Sequence, residues 1–455
     1  MSNINKAKVI DVLESAIAPK KELSVFDSTC IIVGIIIGAG IYETAPTVAA
    51  CMGSWVSTLG VWLVGGLLAL TGALCYAELA TTYPREGGDY VYLSRAYGNR
   101  VGYLFGWSQL VIIRPGDIAL MAFIFSRYAR QIYHFAYCDL IYATSVVVVL
   151  TVINVLGVKA GKWTQNVLTV TKVLGLLVII AAGVLAPSVP SSAESGSFTM
   201  GGLKLALILV LFTFGGWNEM AYVAAEVKRP QQNIVRALVI GVTAVTALYV
   251  LVNGAFLCAL GYMKMAASEA VAVETIAAVF PKTAERAVSI LVCISTLGAV
   301  NGLIFTGARI SYAMGTDHIS FRVMGKWNQY LGTPMWALVV QGCLSIAIVL
   351  SAMSFIDTIL YTAPVVWLFF LATGFSVFVL RGKDPETLRP YKITGYPVTP
   401  ILFCTFSIFM FYNCMSYAFM KNPTSLLISV SVLLTGVLVY RLTGSTRRSP
   451  GTGPG

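Results

Sequence analysis

The sequence predicts an all-α integral membrane protein, and its composition, its hydrophobic spacing and its charge distribution each support this fold class. The chain has 455 residues, of which 57% are hydrophobic and only 11% are charged, and its mean hydropathy is +0.79. Soluble domains average about 25% charged residues, so lipid must surround most of this chain. Apolar runs of roughly 20 residues, the length that crosses a bilayer as a helix, recur along nearly its whole length.

Twelve apolar segments are long enough to be membrane-spanning helices. Two other stretches lack an apolar pattern: the Ser-rich stretch Pro187–Met200 is a predicted loop, and the final RRSPGTGPG is a predicted disordered tail. The expected spans are 24–50, 55–82, 100–131, 139–158, 163–187, 203–227, 232–262, 283–316, 334–353, 355–381, 396–420 and 423–441.

The basic residues predict the orientation of these spans. Most of the 31 Lys and Arg residues fall on the side of the N-terminus when the spans alternate in direction. Because cytoplasmic loops carry the excess of basic residues, we expect a multi-pass protein of the cell membrane with both termini cytoplasmic. The net charge of +11 is then explained by topology and by anionic lipid headgroups, and we expect no nucleic-acid partner.

The sequence shows no pattern typical of an enzyme or a metal centre. The nine cysteines are scattered without a CxxC motif, so free buried thiols are expected. Neither His134 nor His318 has a partner at metal-ligand spacing. We therefore expect no metal, no cofactor and no enzymatic activity, since nucleophile–base pairs and phosphate-binding loops are also missing from the sequence.

Two of the predicted spans are interrupted by small residues. The first span contains Gly38-Ala39-Gly40, and the sixth contains Gly215-Gly216. The two interrupted spans lie five spans apart, each at the start of a five-span unit. Because five is an odd number, the second unit crosses the membrane in the opposite orientation to the first. Interrupted helices at matching positions of two inverted units indicate the binding site of a transporter. The alternative, that these glycines only pack helices together, remains open for each pair taken alone.

A break of this kind suits a zwitterionic ligand. It leaves backbone N–H groups free at the start of one half-helix, where they attract anions, and C=O groups free at the end of the other, where they attract cations. Irregular backbone is tolerated in the membrane only where it lines a protein-enclosed cavity. Two facing breaks would therefore hold the carboxylate and the ammonium group that nearly all amino acids share.

Several motifs resemble the amino acid–polyamine–organocation (APC) superfamily. The first and sixth spans carry GIIIGAGIY and FTFGGWNEMAYVAAEVKRP, and the loop after the second carries AELATTYPREGGDYVY. LIFTGARISYA in the eighth span and RPYK before the eleventh also match. VIIRPG in the third span and QNVLTVTK in the fifth are most similar to the L-type amino acid transporter branch.

The resemblance implies a LeuT-type fold, with two inverted five-helix repeats and two further helices. The expected organisation is an N-terminal cytoplasmic tail, a first repeat, a second repeat, two final spans and a C-terminal cytoplasmic tail. Their ranges are 1–23, 24–187, 203–381, 396–441 and 442–455.

The resemblance also assigns roles at the two breaks. The N–H groups of Gly38, Ala39 and Gly40 would hold the substrate carboxylate. The ammonium group would be held by the backbone carbonyls of Ile36, Phe212 and Gly215. Gly216 and Asn218 would complete the substrate-binding set, with Phe212 also acting as the extracellular-side gate and Asn218 steadying the unwound segment.

Lys172 lies in the middle of an apolar span, where a charge without a partner is costly. In relatives, a lysine at this place substitutes for a sodium ion between the first and eighth spans. We favour this structural role over proton carriage. Snorkelling to the membrane surface would require Lys172 to span about 14 Å, roughly nine residues at about 1.5 Å each, which is too long for its stem.

The sequence therefore predicts a secondary active transporter that moves a neutral L-amino acid by alternating access, sodium-independent, as an exchanger or a proton-coupled permease. The alternative is a polyamine or cationic amino acid permease, which Glu219 and Asp117 would favour. An amino-acid-binding membrane sensor is the alternative of another class. The role of Asp117 beside Arg114 stays open, as does a possible inner gate in which Glu78 pairs with Arg85 or Arg309. The expected partners are the amino acid and the lipid bilayer, with the chain a monomer or a homo-oligomer.

Overall fold

The structure, a computed structural model, describes residues 20–187, 198–351 and 355–443. Within these ranges the chain is α-helical apart from turns, short 3₁₀ and π segments and two isolated β-bridges, which confirms the all-α fold class. Residues 1–19, most of the predicted loop Pro187–Met200 and the predicted tail after residue 443 lie outside the described residues.

The described helices are numbered here in chain order. They are α1 (Val25–Ile36), α2 (Gly40–Met52), α3 (Trp55–Thr82), α4 (Asp89–Tyr97), α5 (Asn99–Ser108), α6 (Arg114–Ile132), α7 (Cys138–Val155), α8 (Val158–Leu185), α9 (Met200–Thr213), α10 (Glu219–Tyr222), α11 (Pro230–Ala267), α12 (Val271–Ala277), α13 (Ala284–Asp317), α14 (Met335–Leu350), α15 (Phe355–Lys383), α16 (Val398–Lys421) and α17 (Pro423–Thr443).

Each predicted span corresponds to a helix or to a helix pair in the described part of the chain. Nine spans are long and apolar enough to cross a membrane, with α5 and α6 forming one of them. The bent pair α1 and α2 makes a tenth. The shorter apolar helices α9 and α14, of 14 and 16 residues, lie where the sixth and ninth spans are expected.

The first span begins with a strong cap and breaks where the small residues lie. The Ser24 hydroxyl accepts the Asp27 N–H, and the Asp27 carboxylate accepts the Ser24 N–H, so the first turn of α1 satisfies its own donors. Residues 37–39 are not helical, and α2 leaves this break at 52° to α1. The predicted interruption of the first span is therefore present.

Burial separates inner from outer helices. In the most apolar stretch of α13, 83% of the residues are buried, compared with 72% in the α5–α6 span and 11% in α17. Helix α13 packs against α6, α8 and α1, and α11 packs against α3, α8 and α1. The interrupted first span is thus enclosed by protein, as irregular backbone at membrane depth must be.

The third span widens just before its proline. Residues Gln109–Ile113 form a π turn, in which the Arg114 N–H bonds to the Gln109 carbonyl. Pro115 has no N–H to give to an α-helical turn, and the π turn accommodates this loss. Single π turns are frequent at functional sites. Here the turn places Gln109 and Arg114 beside the helix breaks.

Candidate functional site at the two helix breaks

The two helix breaks border one cavity of about 180 Å³. Ala39 and Lys172, both predicted site residues, are fully buried behind its wall. The other predicted site residues line it, and α5, α6, α13 and α15 complete the wall. The lining includes Ile36, Gly38, Gly40, Phe212, Gly215, Gly216 and Asn218, together with Ile35, Gln109, Arg114, Asp117, Met121, Glu219, Leu303, Thr362 and Trp367.

The first break offers free backbone donors. The Gly38 N–H bonds to the Ile36 carbonyl at 2.8 Å, so it is engaged in this conformation. Among the described residues, the N–H groups of Ala39, Gly40 and Ile41 have no hydrogen-bond acceptor. Because they open helix α2, its positive dipole end adds to their attraction for an anion. Sequence reasoning missed Ile41, although the first N–H groups of any half-helix lack an intrahelical partner.

The backbone acceptors also differ in part from those predicted. The Ile36 carbonyl accepts the Gly38 N–H and the Tyr249 hydroxyl, the latter at 2.9 Å, so both of its lone pairs are used. One residue earlier, the Ile35 carbonyl accepts no hydrogen bond from the described residues. Ile35 lines the cavity and ends a half-helix, which makes its carbonyl the freer acceptor for a cation.

The second break contributes a carbonyl pair from the turn after α9. The Phe212 carbonyl accepts the Gly215 N–H at 3.0 Å and also accepts the Phe214 N–H, so it is engaged within the turn. The Gly215 carbonyl accepts no hydrogen bond in the described part of the chain, and Gly215 is exposed to the cavity. The Gly215 carbonyl is therefore the freer of the two, and binding of an ammonium group by either carbonyl stays a prediction.

Gly216 is required for both its conformation and its size. Its φ of +112° lies in the region that side-chain-bearing residues rarely adopt. A Cβ added there would also lie 2.6 Å from Cγ2 of Ile35. The second break can therefore press against the end of α1 only because residue 216 has no side chain.

Replacing Gly216 with alanine is expected to lower amino acid uptake at least tenfold. Backbone strain of about 1–3 kcal/mol adds to the collision with Ile35, and a tenfold change corresponds to about 1.4 kcal/mol. Uptake into liposomes measures the effect, and Gly60→Ala in α3 is the matched control because a Cβ there meets nothing within 4 Å. Equal uptake by the two variants contradicts the role given to Gly216.

Asn218 braces the unwound segment from within. Its amide donates to the Tyr222 hydroxyl at 2.8 Å, which ties together the two ends of the one-turn helix α10. Asn218 is buried, so this bond is shielded from water. The contact is the kind that a steadying role requires.

Phe212 is half-buried at the cavity wall, on the last turn of α9. The next residue, Thr213, shares a hydrogen bond of 3.1 Å with Thr44 of α2, which links the first half of the sixth span to the second half of the first span. The gating role of Phe212 stays a prediction.

Lys172 joins three elements through a single ammonium group. Its Nζ donates to the carbonyls of Gly34 and Ile37, at 2.7 and 2.9 Å, and to that of Ser295 in α13 at 2.8 Å. All three donors of the ammonium group are used, and the side chain is 0% exposed. Gly298 makes room, since a Cβ there would lie 2.6 Å from Nζ. The lysine therefore lies between the first and eighth spans, where the resemblance places it.

A buried ion pair at the cavity wall joins Arg114 of α6 to Glu219 of α10. Arg114 donates to Glu219 at 2.8 Å and to Gln109 at 3.0 Å, and its guanidinium lies over the Tyr222 ring, 4.9 Å from the ring centroid. The other Glu219 oxygen accepts the Thr306 hydroxyl at 2.5 Å. Sequence reasoning found both charges but did not pair them.

On the N-terminal side of the bundle, the predicted inner-gate pair of Glu78 and Arg85 is wrong. Glu78 bonds Arg381 instead, at 2.9 and 2.6 Å. Arg309 pairs with Glu226, at 2.7 and 3.2 Å, and both side chains are buried. Arg85 is exposed, and an ion pair adds little stability for an exposed arginine. A buried arginine such as Arg309 is costly to leave without a partner.

Glu226 also anchors the chain that enters α1. Its carbonyl accepts the Leu23 N–H at 2.9 Å, and the Lys228 N–H returns to the Leu23 carbonyl at the same distance. Nearby Glu86, in the loop after α3, has a carboxyl pKa raised to about 7, mainly by burial and further by Glu226. These contacts fasten the start of α1 to the segment that follows the second break.

Comparison with known proteins places the chain in a family. The family model described as amino acid permease matches residues 23–439. The chain is 30% identical to b(0,+)-type amino acid transporter 1 of Mus musculus, over 93% of this chain and 88% of that protein. It is 33% identical to large neutral amino acids transporter small subunit 2 of Oryctolagus cuniculus, over 94% of this chain and 81% of that protein.

These matches cover the whole interrupted bundle, including both breaks and the buried lysine. They agree with the all-helical membrane architecture and with the motifs at the breaks. The chain therefore belongs to the amino acid permease family of the APC superfamily, in its L-type branch, and is a LeuT-type transporter and not an enzyme.

Proposed function

We propose that this transporter moves L-amino acids across the cell membrane by alternating access and without sodium. The observation that carries the proposal is the polarity of the cavity wall. At the first break the N–H group of Gly40, which lines the cavity, is free, as are those of its buried neighbours Ala39 and Ile41. The free carbonyls of Ile35 and Gly215 belong to cavity-lining residues at the two breaks. This arrangement is complementary to a carboxylate and an ammonium group on one small molecule.

The same wall argues against a polyamine as substrate. A polyamine carries ammonium groups and no carboxylate, so the N–H groups that open α2 would face a cation or nothing. An unsatisfied donor in a water-poor site is costly. An amino acid satisfies both ends of the wall, which supports it as the ligand.

Sodium independence follows from the position of Lys172. Its ammonium group already provides a fixed positive charge at carbonyls of α1 and α13, where a bound cation would otherwise sit. A second cation at the same carbonyls would be repelled at close range. The energy source is then exchange or a proton gradient, and the structure favours neither.

Alternating access requires the closed side to open. With both termini cytoplasmic, the contacts of Leu23 with Glu226 and Lys228 close the cytoplasmic path, and Arg309 holds Glu226 in place. Movement of α1 away from α13 would open this path, and the break at residues 37–39 provides the hinge. Neighbouring lipid, or a second copy of the chain, would surround the outer helices.

The side chain of the substrate is a separate question from its amino and carboxylate groups. The sequence favours a neutral side chain, and one relative is named for large neutral amino acids. The Asp117 carboxylate, which lines the cavity, favours a cationic one.

The test uses purified protein in liposomes preloaded with a mixture of unlabelled amino acids. Radiolabelled amino acids are presented outside, one at a time, in sodium, potassium or choline chloride. We expect uptake that depends on internal amino acid or on an inward proton gradient and that is equal in the three salts. Uptake only in sodium chloride contradicts the proposal. Amino acid binding without any uptake supports the sensor instead.

A further inference from the structure

Among the described residues, the Asp, Glu, Lys and Arg side chains that line the cavity are Arg114, Asp117 and Glu219. They contribute one positive and two negative charges when all are ionised. Lys172 does not line the cavity, and its three donors bond carbonyls behind the first break. The charge that a substrate side chain meets is therefore set by these three residues.

Two of the three satisfy each other. Arg114 and Glu219 are both buried and form an ion pair at 2.8 Å, flanked by Gln109 and Thr306. The buried pair is locally neutral and resists rearrangement, since breaking it leaves an unpaired buried charge. In the described part of the chain, the Arg114 Nη1 group has no acceptor. Glu219 is thus engaged by the protein and is not available to a ligand.

Asp117 is left without such a partner. Among the described residues, no donor hydrogen-bonds its carboxylate and no basic nitrogen lies within 4.0 Å of it. It is only half-buried, whereas its neighbours on either side in the sequence are buried, because its side chain faces the cavity. The cavity therefore carries one unbalanced carboxylate.

The position of Asp117 fits contact with a substrate side chain. It lies about one helical turn from Met121, whose Sδ is 3.6 Å from where a Cβ of Gly38 would be. The backbone groups at the breaks would hold the amino and carboxylate groups of the substrate beside Met121. Asp117 would then face the remaining part of the same molecule, one turn, or about 5.4 Å, away.

We infer that the transported amino acid carries a cationic side chain and that Asp117 is the residue that selects it. This inference rests on the proposed amino acid transport and adds the substrate class. An ammonium or guanidinium group would balance the unpaired carboxylate in a low-dielectric site, where a lone charge is costly. A neutral side chain would leave Asp117 unbalanced, and an acidic side chain would be repelled by it.

The test compares isosteric substrates that differ in charge. Uptake of L-arginine is measured against L-citrulline, and uptake of L-lysine against L-norleucine, in liposomes preloaded with mixed amino acids. We expect the wild-type protein to take up each cationic member at least tenfold faster. Asp117→Asn is expected to reduce that ratio at least tenfold, and Asp117→Glu is expected to keep the cationic preference.

The control is Glu269→Gln, which removes a negative charge from an exposed position outside the cavity. It is expected to keep the wild-type ratio. If Asp117→Asn is poorly folded, the same substrate pairs are ranked by their thermal stabilisation of the wild-type and Asp117→Glu proteins in detergent, where arginine and lysine are expected to stabilise more than citrulline and norleucine.

Three results would overturn the inference while leaving amino acid transport intact. They are a wild-type preference for citrulline and norleucine, an unchanged ratio in Asp117→Asn, and neutral uptake that requires a proton gradient in the wild type but not in Asp117→Asn. The absence of uptake or stabilisation by any amino acid would instead remove the proposed function, and the inference with it.

Discussion

Replacing Lys172 with alanine is expected to lower amino acid uptake about 100-fold. The change removes three charge-assisted hydrogen bonds and leaves the carbonyls of Gly34, Ile37 and Ser295 without their donor. Each buried group left unsatisfied costs about 1–3 kcal/mol. A loss of about 3 kcal/mol in binding at the first break corresponds to roughly 100-fold.

A sodium ion is expected to restore part of this loss. The vacated position is surrounded by three carbonyl oxygens, and Ser295, which supplies one of them, also carries a side-chain hydroxyl. Oxygen ligands of this kind suit a hard cation. Uptake by Lys172→Ala is therefore expected to be higher in sodium chloride than in choline chloride, whereas wild-type uptake is expected to be equal in the two salts.

A second variant tests whether the Lys172 ammonium group must lie in its observed position or need only be present. Gly298→Ala keeps the lysine but places a Cβ 2.6 Å from its Nζ, so the group must move. An intermediate loss of uptake without sodium stimulation is expected. Full activity in Lys172→Ala, with its melting temperature unchanged, would show that the three contacts have no part in transport.

The helix breaks could be predicted from the sequence because their cause is local. Gly38-Ala39-Gly40 and Gly215-Gly216 lie inside apolar runs, where small residues weaken the helix and allow unusual backbone angles. The location of each break needs no knowledge of the partner helices. The free carbonyl of Ile35 and the free N–H of Ile41 follow from the same rule, applied one residue further out than the family motif suggests.

The pairing of charges could not be predicted in the same way. Arg114 needed a partner within the membrane, but Asp117 was nearer in the sequence than Glu219, which lies on another interrupted span. Arg114 directly follows the π turn and pairs with Glu219, and no local sequence pattern indicates that pairing. Which of the two acids, Asp117 or Glu219, can contact a substrate depends on how α6 packs against the second break.

The buried pair on the N-terminal side shows the same limit. Glu226 follows the second break and Arg309 lies near the end of α13, so their contact depends on how these elements pack. Sequence reasoning assigned Arg309 to Glu78 as one alternative, on the basis of loop proximity. In the structure, Glu78 instead forms an ion pair with Arg381 of α15.

Replacing Arg309 with methionine is expected to destabilise the closed conformation by about 3–5 kcal/mol, the usual cost of removing one partner from a buried ion pair. Arg309 is 0% exposed and holds both Glu226 oxygens and the Phe305 carbonyl. Without it, the buried Glu226 carboxylate has lost its cation, and the backbone that Glu226 shares with Leu23 loses its support. The start of α1 is then expected to separate from the second break.

Labelling of Cys30 measures that separation. This cysteine lies in α1 and is buried in the closed conformation. Faster modification of Cys30 by a maleimide, quantified by mass spectrometry of its peptide, is expected in Arg309→Met, together with a lower melting temperature. The control is Arg95→Met, which removes a half-exposed partner of Asp384 and is expected to change stability by about 1 kcal/mol or less.

The double variant Arg309→Met with Glu226→Leu shows whether the defect arises from the loss of the ion-pair attraction or from the buried Glu226 carboxylate that is left unpaired. If the defect of the single variant arises from the unpaired carboxylate, removing that carboxylate recovers most of the lost stability, since apolar replacements of buried pairs are often neutral. The recovered protein is expected to regain its melting temperature and slow Cys30 labelling. A single variant that behaves like Arg95→Met in both measurements contradicts the assignment of this pair to the closed state, and the closure then rests on the Leu23 backbone bonds alone.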